Sequence, residues 1–107
     1  MLSSTLAMGS AASPLAKVSQ NAERWRVHLD GMRRGNSEAS ARLYDETCNI
    51  LYGIALRVLN DPADADEVVL DVYQQVWKSP HTFDASRGTV WGWLTMMTRS
   101  QIGRAHV

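Results

Sequence analysis

Hydrophobic positions recur every three or four residues through most of the chain, and no segment shows the strict alternation of a half-buried β-strand. A first helix is predicted over residues 22–33. Its apolar stripe consists of Trp25, Leu29 and Met32. The helix is expected to end there, because Gly35 is a typical C-terminal breaker and Asn36 can cap the helix that follows.

A second, longer helix is predicted over residues 37–59. Its inner stripe is expected to comprise Leu43, Thr47, Leu51, Ile54 and Val58, with Tyr44, Cys48 and Ala55 beside it. The length of this helix is unusual for a small domain and suits a central scaffold.

The third helix is predicted over residues 62–78, where Asp61 can cap it and Pro62 fits the first helical position. The predicted apolar face consists of Val68, Val69, Val72, Tyr73, Val76 and Trp77. The opposite face consists of Glu67, Leu70, Asp71, Gln74, Gln75 and Lys78. Since valines are poor helix formers, packing must hold this helix together. Leu70 is predicted to be exposed among polar groups, which favours a partner-binding face over a merely solvated one.

A loop follows the third helix, and Thr89 is then predicted to cap a fourth helix that continues to Ser100. Phe83 in the loop is expected to be a buried anchor rather than a stacking platform, and Trp93 and Leu94 are expected in the core. Residues 1–20 are predicted to be a disordered tail, with either Met1 or Met8 as the true start. The pattern therefore predicts an all-α fold, a small bundle of about four helices.

Composition fits one soluble domain: the chain has 107 residues, of which 45% are hydrophobic and 21% charged. No apolar run approaches the roughly 20 residues that a membrane span needs. The net charge of zero argues against a free-standing nucleic-acid binder, but the charge is unevenly distributed. Residues 1–36 hold five Lys and Arg against two acids, residues 37–77 two against eight, and residues 78–107 four against one. This distribution suggests partners of opposite charge, although solvated helix faces would look similar.

The sequence offers little evidence for a catalytic or metal site. Three acids at helical spacing, Asp64, Glu67 and Asp71, could bind a divalent cation, but they also suit the positive end of a helix dipole. The histidines, His28, His81 and His106, form no ligand spacing. Cys48 is the only cysteine, which rules out an internal disulfide, fits a reducing cytoplasm and is expected in the core. We therefore expect no enzyme activity, no metal and no cofactor.

Several motifs occur in an order that identifies a family. The stretch "DADEVVLDVYQQVW", preceded by "ARLYDE…LYGIALRVL" and followed by "FDASRG" and "WL", resembles conserved region 2 of bacterial sigma factors of the extracytoplasmic-function group. The resemblance covers about two-thirds of the chain, from "RRGNSEASARLYDE" to Ser100. It implies a cytoplasmic protein that contributes to transcription initiation. The alternative from the residues alone is a non-catalytic helical adaptor that binds another protein through its acidic third helix.

The resemblance implies two partners. The outer face of the third helix would dock on a basic coiled coil of the largest subunit of core RNA polymerase, through Asp66, Glu67, Leu70, Asp71, Gln74 and Gln75. Leu70 departs from the glutamine that is common at its position in the family. The loop and fourth helix would melt the upstream minus-ten-type promoter element and hold a flipped base of the single-stranded non-template strand. The residues expected to contact DNA are Lys78, His81, Arg87, Trp91 and Arg99.

The sequence departs from the family pattern towards its C-terminus. Members have a second, helix-turn-helix domain, which we expect to be absent here. They are usually held inactive by an anti-sigma factor, a further expected partner. After Ser100 the family pattern stops, and residues 101–107 match the translation of the common short-read library adapter AGATCGGAAGAGCACACGTC preceded by one C. We therefore expect residues 101–107 to be non-native and the region 2 domain to cover residues 21–100.

Overall fold

The computed structural model describes residues 14–105, with side chains from residue 21 onwards. This part of the chain contains helices and no strand, which confirms the predicted all-α class. The elements are α1 (Pro14–Arg33), α2 (Ser37–Leu59), α3 (Pro62–Lys78), the 3-10 turns Pro80–Thr82 and Ala85–Arg87, and α4 (Val90–Ala105).

Helix α1 begins at Pro14, well before the predicted start at residue 22. Proline is favoured in the first turn of a helix, and no glycine or further proline interrupts the chain until Gly31. Residues 1–13 of the predicted tail lie outside the described part of the chain, and the domain boundary at residue 21 stays a prediction.

Helix α4 continues to Ala105, past the predicted end at Ser100. Ile102 is buried in a small apolar cluster with Ala55, Ala65 and Val68, so packing extends the helix although its apolar period weakens. The expectation that residues 101–107 are non-native stays a prediction.

The predicted caps are confirmed. Asn36 Oδ1 accepts hydrogen bonds from two backbone amides of the first turn of α2, at 2.9 and 3.3 Å. Asp61 Oδ1 does the same for α3, at 2.9 and 3.1 Å. Thr89 Oγ1 accepts from the amide of Gly92 at 3.0 Å. Gly35 has a φ of +85°, a conformation that glycine adopts readily, and it separates α1 from α2.

The core lies where the four helices meet, with α2 and α3 in the most extensive contact. Buried positions on α2 follow a strict spacing of four residues. They are Ala39, Leu43, Thr47, Leu51 and Ala55. Such a row is inclined to the helix axis, so Val58 falls off it and is 48% exposed, contrary to its predicted inner position. Ile54 is only partly buried for the same reason.

Polar groups inside the bundle have partners. The Thr47 hydroxyl donates to the carbonyl of Leu43 at 2.7 Å and accepts from the hydroxyl of Tyr73, which is fully buried on α3. Burial raises the pKa of Tyr73 well above its usual range. This pair ties α2 to α3 and keeps the Tyr73 hydroxyl satisfied in an apolar surrounding.

A second link, between α1 and α2, centres on Glu46. Its carboxylate accepts from Arg24 Nη2 at 2.6 Å and from the indole N–H of Trp25 at 3.0 Å, and His28 Nε2 lies 3.4 Å away. The Trp25 ring itself is buried. The half-buried carboxylate of Glu46 thus contacts three side chains of α1.

Gly31 of α1 lies close against Ala39 of α2. A Cβ atom added to Gly31 would lie 2.8 Å from the Cβ of Ala39, which cannot rotate away, whereas a Cβ at Gly53 would meet nothing within 4 Å. Gly31→Ala is therefore expected to be about 2 kcal/mol less stable than Gly53→Ala. Both substitutions raise helix propensity, but only the one at position 31 overpacks the contact between α1 and α2. Urea unfolding of the two variants measures the difference, and equal stabilities would contradict the close approach.

Candidate functional site

The acidic face of α3 carries the six residues predicted to bind a partner. Five of them, Asp66, Glu67, Leu70, Gln74 and Gln75, are exposed, and Asp71 is partly buried. Leu70 is 50% exposed, as predicted. Because the opposite face of α3 is fully packed against the bundle, this polar face is held in a fixed direction.

Trp77 extends this face and was wrongly placed on the inner side by sequence reasoning. Its side chain is 46% exposed, because Tyr73 and Val76 occupy the inner positions of the last turns of α3. Trp77 therefore lies at the edge of the buried face. Glu67, Leu70, Gln74 and Trp77 then form one stripe with spacings of three, four and three residues, which we call the α3 stripe. This spacing is the heptad pattern by which helices pair in coiled coils. A count of heptad positions from Leu70 could have found Trp77 in the sequence.

Aromatic side chains support one edge of the α3 stripe. The ring centroid of Trp77 lies 6.3 Å from that of Tyr44 and 6.3 Å from that of Tyr73, and the Tyr44 and Tyr73 rings meet edge-on at 4.9 Å. Tyr73 is buried while Tyr44 is 37% exposed. The contacts fix the orientation of Trp77 while leaving much of its surface open.

A shallow cleft of about 220 Å³ runs between α2 and α3 next to the acidic face. It is lined by Tyr44, Cys48, Asn49, Tyr52, Asp66 and Val69. Cys48 packs against the core, as predicted, and is partly rather than fully buried. Burial, and to a lesser extent the charge of Asp45, raises the pKa of the Cys48 thiol. The thiol is therefore protonated at neutral pH, which disfavours nucleophilic chemistry in the cleft.

The basic residues predicted to contact DNA lie on four successive elements. Lys78 ends α3, His81 and Arg87 lie in the two 3-10 turns, and Arg99 lies on α4. All four side chains are exposed, and none forms an ion pair within residues 21–105. They are accessible to a polyanion.

Trp91, the aromatic residue predicted to contact DNA, is less exposed than Met96 on the same helix. Trp91 is partly buried, with its ring centroid 5.8 Å from that of Trp25. Met96 is 60% exposed, and Arg99 follows it by three residues on the same side of the helix. In the sequence, the signal that points to Met96 is its place in the outward row of α4, not a flat side chain. The role of Trp91 in DNA contact stays a prediction.

The loop between α3 and α4 is ordered by its own polar side chains. Asp84 accepts from the amide and the hydroxyl of Ser86, at 2.9 and 2.7 Å, and its backbone carbonyl accepts from the amide of Arg87 at 3.0 Å. These hydrogen bonds from Ser86 lower the pKa of the exposed Asp84 carboxyl. Phe83 is buried, which confirms the predicted anchor, and its ring centroid lies 5.5 Å from that of Trp93. Trp93 packs against the core but is partly buried, whereas Leu94 is fully buried, as predicted.

Arg33 contacts this loop, although the sequence predicted no role for it. From the end of α1, its Nη2 donates to the carbonyl of Phe83 at 2.6 Å and its Nε donates to that of Pro80 at 3.3 Å. These partners are 50 and 47 residues away along the chain, so no local pattern reveals them.

Among the described residues, no group of three or more His, Cys, Asp or Glu side chains is arranged to hold a metal ion. Within the same part of the chain, no helix combines the length and the apolar character needed to span a bilayer.

Comparison with known proteins identifies relatives. A family model described as sigma-70 region 2 matches residues 43–106. The chain is 38% identical over 77 residues to the ECF RNA polymerase sigma factor SigK of Mycobacterium ulcerans (strain Agy99), an alignment that covers 71% of this chain and 41% of the relative. It is 40% identical over 68 residues to the protein of the same name from Mycobacterium sp. (strain KMS), covering 63% and 35%. The match to that of Mycobacterium tuberculosis (strain ATCC 25177 / H37Ra) is 35% over 81 residues, covering 71% and 43%.

The chain spans between 35% and 43% of the length of these three relatives. No solved structure matches it significantly.

Proposed function

Because the chain belongs to the extracytoplasmic-function group of sigma-70 factors and carries their region 2, we propose that it binds core RNA polymerase and directs promoter recognition and melting during transcription initiation. The observation that carries this proposal is the α3 stripe, an exposed heptad row on an acidic helix face. Heptad spacing suits docking against a helical partner, and the acids on either side suit a basic one. A basic coiled coil of the largest polymerase subunit has both properties.

Docking would combine an apolar centre with a polar rim. Leu70 and Trp77 supply the large apolar groups of the α3 stripe. Glu67 within the stripe and the neighbouring acids Asp66 and Asp71 supply complementary charge. Interfaces draw most of their affinity from such desolvated anchors, while the rim charges steer association and select the partner.

The second half of the proposed function is contact with promoter DNA. In this role the exposed basic residues Lys78, His81, Arg87 and Arg99 contact phosphates, and Trp91 or the more exposed Met96 contacts an unpaired base of the non-template strand. The isolated chain has no net charge, so DNA binding is expected only after core polymerase adds its own contacts.

A sigma factor of this kind acts in the cytoplasm, where polymerase transcribes, and regulates initiation without catalysing a reaction itself. An anti-sigma factor is the remaining proposed partner, and it would have to cover the α3 stripe or the loop to inhibit. A general helical adaptor is the less favoured reading, because it accounts for α3 but not for the loop or for the family match.

Polymerase docking is tested with the purified chain and core RNA polymerase. Asp71→Lys is expected to weaken binding about tenfold, since the substitution reverses a charge that faces a basic partner. Glu23→Lys on α1 makes the same change in charge at an exposed position outside the face and serves as the control. Failure of the unchanged chain to bind, or equal binding by all three proteins, would contradict docking through α3. Crosslinking to a forked promoter fragment, expected only with core enzyme present, tests the DNA contact.

A further inference from the structure

Besides the packing of Phe83, one side chain from another helix holds the loop between α3 and α4 by hydrogen bonds. The guanidinium of Arg33, the last residue of α1, donates to the carbonyls of Phe83 and Pro80, at 2.6 and 3.3 Å. Those two carbonyls flank His81 and Thr82 in the chain. A planar guanidinium can span two acceptors in this way, so both sides of the short segment are fixed at once.

The Arg33 side chain is itself held in place. Asp30, one turn earlier on α1, pairs with Nη1 at 3.4 Å, and the guanidinium carbon lies 5.8 Å from the centroid of the Phe83 ring. Phe83 is buried and its ring meets Trp93 of α4. Through this contact the guanidinium connects the end of α1, the loop and the start of α4.

The loop's remaining hydrogen bonds are local. The amide and hydroxyl of Thr82 both donate to the carbonyl of Ser79, at 3.2 and 2.8 Å, and Asp84 organises the second 3-10 turn. These bonds set the shape of each turn but not its position on the bundle. Among the hydrogen bonds seen in residues 21–105, those from Arg33 are the ones that attach residues 80–88 to a helix other than α3 or α4.

We propose that Arg33 is a positioning residue for promoter melting, which holds the loop so that His81 and Arg87 already face the non-template strand before DNA arrives. The inference rests on the proposed function. A loop fixed in advance binds the strand without the cost of being ordered at that moment. Loss of Arg33 therefore weakens capture of the unpaired strand but leaves docking on core polymerase intact, because the α3 stripe makes no hydrogen bond or ion pair with Arg33.

The chain offers a matched control in the neighbouring Arg34. It is exposed, and its side chain makes no hydrogen bond or ion pair within the described residues. Arg33→Gln and Arg34→Gln remove the same charge at adjacent positions, so they differ in the contacts that Arg33 makes with the loop and with Asp30. Arg33→Lys keeps the charge and removes the planar fork.

The test uses the chain bound to core polymerase and a forked promoter fragment that carries 2-aminopurine at the first unpaired non-template base. Arg33→Gln is expected to lower the affinity for the fragment about tenfold and to reduce the fluorescence of the unstacked base. Arg33→Lys should recover only part of this loss, and Arg34→Gln should stay within about twofold of the unchanged chain. Affinity for core polymerase, measured by anisotropy, should change less than about twofold in all three variants.

Three results would overturn the proposal: equal losses in Arg33→Gln and Arg34→Gln, parallel losses of DNA and core affinity, or full recovery by Arg33→Lys. Amide hydrogen exchange of Thr82 gives a readout that does not depend on polymerase. It should be faster in Arg33→Gln and unchanged in Arg34→Gln. If the unchanged chain binds no core polymerase, the proposed function fails on its own, and unchanged exchange in Arg33→Gln would still separately refute the positioning role.

Discussion

Arginine in place of Leu70 is expected to weaken binding of the chain to core RNA polymerase by at least about thirtyfold, equivalent to about 2 kcal/mol. Leu70 lies in the middle of the α3 stripe and is 50% exposed in the free chain, so a partner helix would cover it. The substitution removes an apolar anchor and forces an unpaired cation into the desolvated centre of an interface with a basic partner. Equilibrium titration of labelled chain with core enzyme measures the effect.

Val58 provides the matched control for this experiment. It is 48% exposed on α2, close to the value for Leu70, and lies outside the α3 stripe. Val58→Arg adds the same side chain at the same degree of exposure and is expected to change core affinity less than about twofold. If the two variants lose affinity equally, the α3 stripe is not the docking surface, and added positive charge alone accounts for the loss.

Trp25→Ala is expected to lower the free energy of unfolding by about 3–5 kcal/mol, a large fraction of the stability of a small domain. The ring is 1% exposed and its removal leaves a cavity between α1 and α4, where it meets Trp91. The loss also deprives Glu46 of its indole donor, although Arg24 continues to pair with the carboxylate. Urea unfolding followed by circular dichroism measures the change.

Trp77→Ala removes the same side chain from an exposed position and should cost less than about 1 kcal/mol of stability while weakening core binding. Trp25 is thus assigned to the core, and Trp77 to the proposed polymerase interface. A stability loss of less than 1 kcal/mol in Trp25→Ala, or equal losses in both variants, would contradict the assignment of Trp25 to the core.

Local patterns in the sequence predicted most of the helical structure. The caps at Asn36, Asp61 and Thr89 act within three residues, and the structure confirms each of them. The register of α3 was also correct except at its edge, where Trp77 belongs outside. Periodicity gives the centre of an apolar face well, but the boundary residues depend on which neighbours fill the space.

Contacts between distant parts of the chain could not be predicted in this way. Glu46 contacts residues 18 to 22 positions away, and Arg33 contacts carbonyls 47 and 50 positions away. A charged residue on a helix surface looks the same in sequence whether it is solvated or bonded to a loop from another part of the fold. The exposure of Met96 and the partial burial of Trp91 likewise depend on how α4 packs against the rest of the bundle, including Trp25 of α1.

The inner face of α3 has a consequence for regulation. Four of its six buried residues are valines, Val68, Val69, Val72 and Val76, which disfavour an isolated helix and are held helical by the bundle. The surface proposed to bind polymerase therefore exists only in folded molecules, and docking and folding would be linked equilibria. Core enzyme at a hundred times its dissociation constant would stabilise the folded chain by about 2.7 kcal/mol. An unbound sigma factor would then be the form more exposed to proteolysis, so that its abundance follows the supply of free polymerase.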